Sequence, residues 1–376
     1  MIQANSVKNI PLYQVGIPPT VSEPVAQVLA SGQIAYGPNV AKFEDLLRGY
    51  LGVPWLTVNG DISTALTLCL FQAGVRPGDE VIMSPLVCLA TSCPVRNLFA
   101  NIRWCDVDPT TGNIDPADLE KRITPRTKAV VVYHWAGNPS DLQGIQAVAR
   151  ANNVAVIEDA GEALGAEYHG KKIGAGGSDF AVFSFYANRH LTTIDGGAIA
   201  CAREEDCEKL RWLKRYGIHQ PSFRDADGEI DPASDIPVAG WNSYMSHVAA
   251  TIGLAQMDQL PSIIARYQSN GLYFDERLAG IPGVTVLNRP PDSRSAYWVY
   301  TFLARDRDRL MRSLRQHGVQ ASRVHLRNDV YSAFGSAPDS LPGVDSFSKR
   351  CLSVPSGWWV TDEDRARIHD VIADEA

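Results

Sequence analysis

Residues 154–197 read VAVIEDAGEALGAEYHGKKIGAGGSDFAVFSFYANRHLTTIDGG, and they constrain the fold more than any other stretch. Residues 154–157 form an apolar run too short for a helix but suited to a strand buried on both faces, as in a parallel sheet. The run ends on Glu158 and Asp159, at the carboxyl edge where such sheets gather their ligand sites. A second strand is expected over residues 180–185, with Ser184 near its end, and it stops in a polar turn that carries Arg189 and His190. Gly196 and Gly197 then let the backbone reverse. An acid at one strand end, a serine at the next and a cationic turn after it suit an aromatic, phosphorylated ligand.

On either side of this stretch the hydrophobic period alternates between helix and strand. Helices are expected over residues 20–31, 40–51, 63–73, 116–123 and 142–152, and strands over 55–58, 81–83, 102–107, 129–133 and 154–157. Such alternation implies a mostly parallel sheet covered on both faces. Asp61 or Ser63 caps the helix from residue 63, leaving free N–H groups at its start. After Gly197 the texture changes. A charged helix over 204–216 precedes a loop over 221–237 rich in Asp, Pro and Gly, then a long helical pattern over 246–278 interrupted by Pro261. Strands over 284–287 and 297–304 and helices over 306–317 and 361–373 complete a smaller unit. The expected division is a large domain over 1–250 and a bridging helix with a small α+β domain over 251–376.

With 376 residues there is room for both. A net charge of −7 without a clustered basic surface argues against a nucleic-acid partner. The seven cysteines are odd in number, lie mostly in apolar runs and show no metal-ligand spacing, so they read as reduced core residues. The first sixteen residues lack the pattern of a signal peptide and no run approaches a membrane span, which leads us to expect a cytoplasmic protein. The glycines at 174, 176 and 177 lack the strand before and helix after that a dinucleotide fingerprint requires.

The order of elements and motifs resembles the DegT/StrS family of pyridoxal-phosphate-dependent nucleotide-sugar aminotransferases. The likeness rests on Gly37-Pro38 followed by Phe43-Glu44, Gly78-Asp79-Glu80-Val81, the ITPRTKA run at 123–129, VIEDA at 156–160, VFSF at 182–185, Gly240-Trp241-Asn242 and IGLAQ at 252–256. It implies an α/β, fold-type I aminotransferase-like architecture and a homodimer, or a heterodimer with a paralogue, whose site lies between subunits. By resemblance Asp159 pairs with the pyridinium nitrogen of pyridoxal phosphate (PLP), Glu162 lies near the ring, and Ser184 bonds the cofactor phosphate. Asn242 reaches a phosphate in the neighbouring subunit. The structural alternative for Asp159 is a helix cap, and for Ser184 and Asn242 a turn that bonds its own backbone.

The departures bear on chemistry. The family carries a lysine five residues after the serine of the Ser-Phe pair, where this chain has Arg189, and a guanidinium has no free amine to offer a covalent linkage. Where the family has Gly-Thr at the phosphate-binding turn, this chain has Asp61-Ile62, with Ser63 following. Cys88 takes the place of an aromatic that stacks on the ring. Some relatives without the lysine use a histidine there on free pyridoxamine phosphate (PMP), but His190 falls one residue later and points the other way in an extended segment. His134, ending a strand, is a second candidate, for a ligand-facing or a core role. Three readings follow: an enzyme acting on a keto sugar with non-covalent PLP or PMP; new chemistry without cofactor, in which Arg189 grips an anion; or a silent partner of an active homologue.

Overall fold

The short link over residues 185–196 decides how the central sheet is built. It contains no helix, so the strands at its ends cannot be joined by the long crossover that a parallel pair requires. They pair antiparallel instead. The computed structural model describes residues 8–335 and 340–376. Its seven-stranded sheet comprises β1 (Trp55–Asn59), β2 (Glu80–Met83), β3 (Asn101–Trp104), β4 (Thr127–Tyr133), β5 (Ala155–Asp159), β6 (Phe180–Ser184) and β7 (Gly197–Cys201), in the order β1-β7-β6-β5-β4-β2-β3. From β3 to β6 all neighbours are parallel, while β7 is antiparallel to both β6 and β1.

Alternating side chains split the interior into two layers. Val81, Met83, Val131, Ile157 and Val182 face α3 (Ile62–Gln72), α4 (Leu89–Asn97) and α7 (Glu204–Leu213). Ile82, Val130, Val132, Val156 and Phe183 face α2 (Pro38–Leu51), α5 (Pro116–Arg122) and α6 (Leu142–Ala151). Ahead of these runs α1 (Ser22–Ser31). The registers set Tyr133 opposite Asp159 and Ser184 opposite Gly197, so the carboxyl ends of β4, β5 and β6 lie side by side.

The helical pattern over 246–278 resolves into α8 (His247–Leu254) and α9 (Leu260–Leu278). Pro261 does not kink a helix. It stands in the first turn of α9, where its missing N–H costs nothing. A three-stranded antiparallel sheet follows, in the order β8 (Val284–Val286), β9 (Tyr300–Ala304), β10 (Cys351–Val354), with α10 (Arg307–Gln316), α11 (Pro342–Arg350) and α12 (Asp362–Glu375) around it. Ile10 joins this third core. Its N–H donates to the Gly318 carbonyl and its own carbonyl accepts from Gln320, while the Trp359 indole donates to the Pro11 carbonyl. The described residues at the start of the chain therefore pack on the C-terminal unit, which a boundary at residue 250 does not convey. All seven cysteines are free, with Cys88 and Cys93 partly exposed and the other five buried. Among the described residues no helix is long and apolar enough to cross a membrane, and no His/Cys/Asp/Glu group is arranged to hold a metal.

Candidate functional site

Asp159 is the last residue of β5 and is buried. One carboxylate oxygen accepts from the Thr91 hydroxyl at 2.6 Å and the other from the Gly161 N–H at 3.1 Å. Burial pushes its carboxyl up; the two donors oppose this, the charge of Glu162 adds to it, and the balance stays above the usual range. Both hydrogen-bond donors are neutral, so Asp159 faces the site as an acid without a bonded cation.

Glu162 behaves in the opposite way. Burial alone would raise its carboxyl, but the His325 hydrogen bond, the Arg189 charge and the Tyr133 hydroxyl hold it below the usual range. Its Oε2 accepts from the Ala136 N–H at 3.0 Å, within a turn where Ala136 adopts φ 53°. Its Oε1 lies 3.4 Å from Arg189 Nη1 and 3.4 Å from His325 Nε2. His325 Nε2 also lies 2.9 Å from the Tyr133 hydroxyl. The Arg189 guanidinium rests 4.2 Å over the Trp298 ring, on which Tyr13 also stacks at 4.7 Å. Its Nε is buried and unpartnered. A permanent cation, two acids, an imidazole and an aromatic face thus meet at the carboxyl edge of the sheet.

The remaining candidates are distributed around this cluster. Ser184 is buried at the end of β6, its hydroxyl oxygen accepting from the Tyr186 N–H. Asp61, not Ser63, caps α3 by accepting from both the N–H and the hydroxyl of Thr64. Ser63 sits in the first turn, its carbonyl accepting from Thr67. A Cβ placed on Gly161 would meet Ile62 Cδ1 at 2.9 Å, Asp159 Oδ1 at 3.1 Å and Ser184 Cβ at 3.5 Å, so Ile62 reaches the point where the α3 start, β5 and β6 converge. Cys88 precedes α4; burial lifts its thiol, and the charges of Asp159 and Glu162 lift it further against a hydrogen bond from the Ala90 backbone and the nearby Arg189 charge. Asn242 is exposed and makes no contact with the cluster, although Ser243 beside it accepts from the Gly60 N–H just before α3.

Both histidine candidates are turned away. His134 belongs to the Val130 and Val132 face of β4, fully buried, with Nδ1 accepting from the Ser140 N–H and Nε2 3.1 Å from Glu158 Oε2. Nδ1 being an acceptor, Nε2 carries the proton, and the ring is a satisfied core group. His190 diverges from Arg189, packing its ring against Tyr267 and placing Nε2 3.2 Å from the Ala296 carbonyl. Burial depresses it to about 4, which keeps it neutral. Residues the sequence reading passed over take their places: Tyr133, Thr91, Trp298, Tyr13 and His325. Period-two alternation along β4 was the available signal for Tyr133, since it puts Tyr133 and His134 on opposite faces. Nothing local marks His325, in a coil far along the chain. Among the described residues no lysine makes a hydrogen bond or ion pair to Asp159, Glu162 or Arg189. Among the described residues the one buried lysine, Lys214, is held elsewhere by the Thr57 hydroxyl at 2.6 Å and the Val58 carbonyl at 2.8 Å.

The architecture has close counterparts. The chain superposes on the sugar aminotransferase CalS13 from Micromonospora echinospora with a TM-score of 0.92 at 35% identity, covering 97% of this chain and 99% of that one. AtS13 from Actinomadura melliaura gives a TM-score of 0.93 at 35% identity over 99% and 100%. The fold is therefore that of the fold-type I aminotransferases. In sequence, GDP-perosamine synthase from Caulobacter vibrioides is 33% identical over 336 residues, 88% of each chain. The family model of the DegT/DnrJ/EryC1/StrS aminotransferases matches residues 18–373, from the segment before α1 into α12. A match that continuous, shared with relatives of the same fold and length, makes this chain a member of the DegT/DnrJ/EryC1/StrS aminotransferase family.

Proposed function

We propose that the chain acts on a nucleotide-linked keto sugar, in sugar or secondary-metabolite biosynthesis, without a lysine that holds PLP covalently. The observation that carries this reading is Arg189, five residues after Ser184, with its guanidinium between the Glu162 carboxylate and the Trp298 ring. The sugar class is supported by the names of relatives, among them GDP-perosamine synthase and the dTDP-3-amino-3,4,6-trideoxy-alpha-D-glucose transaminase of Streptomyces venezuelae, 30% identical over 94% of this chain.

The residues present do not fit a lysine-anchored PLP. Asp159 suits a pyridinium nitrogen, because a buried acid without a bonded cation gains from one. The phosphate end is poorer: the α3 start is capped by the Asp61 carboxylate, which repels a dianion, and Ile62 donates no hydrogen bond there. The anchoring position holds a guanidinium. PLP or PMP would be held non-covalently, with Asp159 as the principal contact.

Incubation with PLP, borohydride reduction and peptide mapping tests the reading, with no reduced adduct expected on residues 184–197. An adduct at Lys171 or Lys172 would move the site and defeat the assignment. Arg189→Lys should create a reducible adduct, with affinity kept low by Asp61 and Ile62.

A further inference from the structure

Rearranging a keto sugar requires a group that takes a proton from carbon and gives it back near neutral pH. Arg189 stays charged at any working pH. His134 and His190 are committed to the core, and the hydroxyl of Tyr133 is driven well above its ordinary value by burial and by the charges of Glu162 and Asp159. His325 is the imidazole that remains in the cluster.

Its geometry assigns each ring nitrogen a task. Glu162 only accepts, and the Tyr133 hydroxyl, 2.9 Å from Nε2, can turn its own hydrogen toward Glu162; that arrangement places the ring hydrogen on Nε2 and leaves Nδ1 with a lone pair. Nδ1 makes no hydrogen bond among the described residues and is not among the atoms sealed from solvent. The backbone that presents the ring is strained. Val324 adopts φ 63°, a conformation a β-branched residue rarely accepts, and the His325 N–H turns back onto the Arg323 carbonyl at 2.8 Å. Strain of this kind persists where surroundings over-determine it, and it gathers at functional sites. Here the surroundings are the Ser322 hydroxyl accepting from the Val324 N–H, and Asn328 bonded to the Pro85 carbonyl and the Ser92 hydroxyl.

We propose that His325 is the proton-exchanging catalytic residue of this site, acting through Nδ1 on the carbon beside the sugar ketone. The inference rests on the keto-sugar reading above. In the step, the C–H bond next to the ketone breaks and its proton goes to Nδ1. The electron pair becomes a carbon–carbon double bond while the ketone oxygen takes up the negative charge beside the Arg189 guanidinium. Glu162, against the Nε2 hydrogen, steadies the imidazolium, and return of the proton from Nδ1 closes the cycle with no oxidant or reductant. Glu162 acts as a positioning residue.

Two measurements test this. Nitrogen NMR of histidine-labelled protein, recorded where the imidazole is uncharged, should show hydrogen on Nε2 and none on Nδ1 of His325, and Glu162→Gln should weaken that preference. In deuterium oxide, wild type mixed with a dTDP-linked 4-keto-6-deoxyhexose should wash deuterium into the carbon beside the ketone. His325→Gln should slow the exchange by about 100-fold or more while sugar affinity by calorimetry changes little, and His325→Ala should regain exchange with added imidazole. A Nδ1-protonated ring, exchange at the wild-type rate in His325→Gln, or a wild type that binds the sugar without exchange would each overturn the role of His325. A wild type that fails to bind the sugar overturns the keto-sugar reading, and this inference with it.

Discussion

Arg189 and His190 are neighbours in sequence with opposite fates, and the difference is electrostatic. The guanidinium of Arg189 can be partly buried because Glu162 and the Trp298 face compensate for the lost water. Arg189→Ala removes both contacts and should cost about 2 kcal/mol of stability while leaving the fold intact, as read by urea unfolding. For His190 the Ala296 carbonyl and the Glu162 charge do not offset burial, which depresses it from 6.5 to about 4. The unfolded chain then binds this proton more readily than the folded one, so stability is full above pH 6.5, falls as the pH drops, and levels off near pH 4. The loss attributable to His190 is on the order of 3 kcal/mol. Comparing unfolding at pH 7 and pH 4.5 should show a smaller drop in His190→Gln than in wild type. Asp159 and Ser184 stood out at this scale because strand ends in a parallel sheet are where ligand groups collect, whereas Glu162, beyond the end of β5, was singled out only by the family resemblance. For His134 and His190 the sequence left a ligand-facing and a core role open, and their rings pack in the core, because a residue type does not tell the face against which its ring packs.

Elements were legible in proportion to how well the hydrophobic period separated them from their surroundings. Helix α6 and strands β4, β5 and β6 were clear in the sequence. Helix α4 was not, since its sequence LATSCPVRN carries Pro94 inside and a weak apolar face. Helix α11 and strand β10 follow one another directly, leaving no turn residues to mark the boundary. Helix α9 shows how closely elements approach where the bridging segment meets the C-terminal unit. A Cβ at Gly271 would fall 2.2 Å from the Tyr297 ring, whose hydroxyl is bound to Asp275 on the same helix. Gly271→Ala should therefore destabilise the protein by about 2 kcal/mol despite better helix propensity, visible as a lowered Tm.

At the scale of the whole molecule, the link that carries Arg189 also exposes Tyr186 and Ile194, each more than half accessible. Large apolar side chains beside a site are a feature of surfaces that another chain covers. With Asn242 exposed next to the start of α3, this leads us to expect a homodimer, checked by sedimentation at micromolar concentration; a stable monomer would count against it. The change of texture after Gly197 is visible in the sequence, but the attachment of residues 8–12 is not, because pairing over such a distance leaves no local pattern. Ile10 is fixed by Val319 and its neighbours, Lys8 by Asp364, and Tyr13 by Trp298, the ring that carries Arg189. The segment over residues 8–13 therefore finds its partners only at residues 298–364, far along the chain. At roughly 5–20 residues per second, Ile10 waits on the order of half a minute for residue 319, so the sheet edge that holds Arg189 closes only after residues 298–325 have been made.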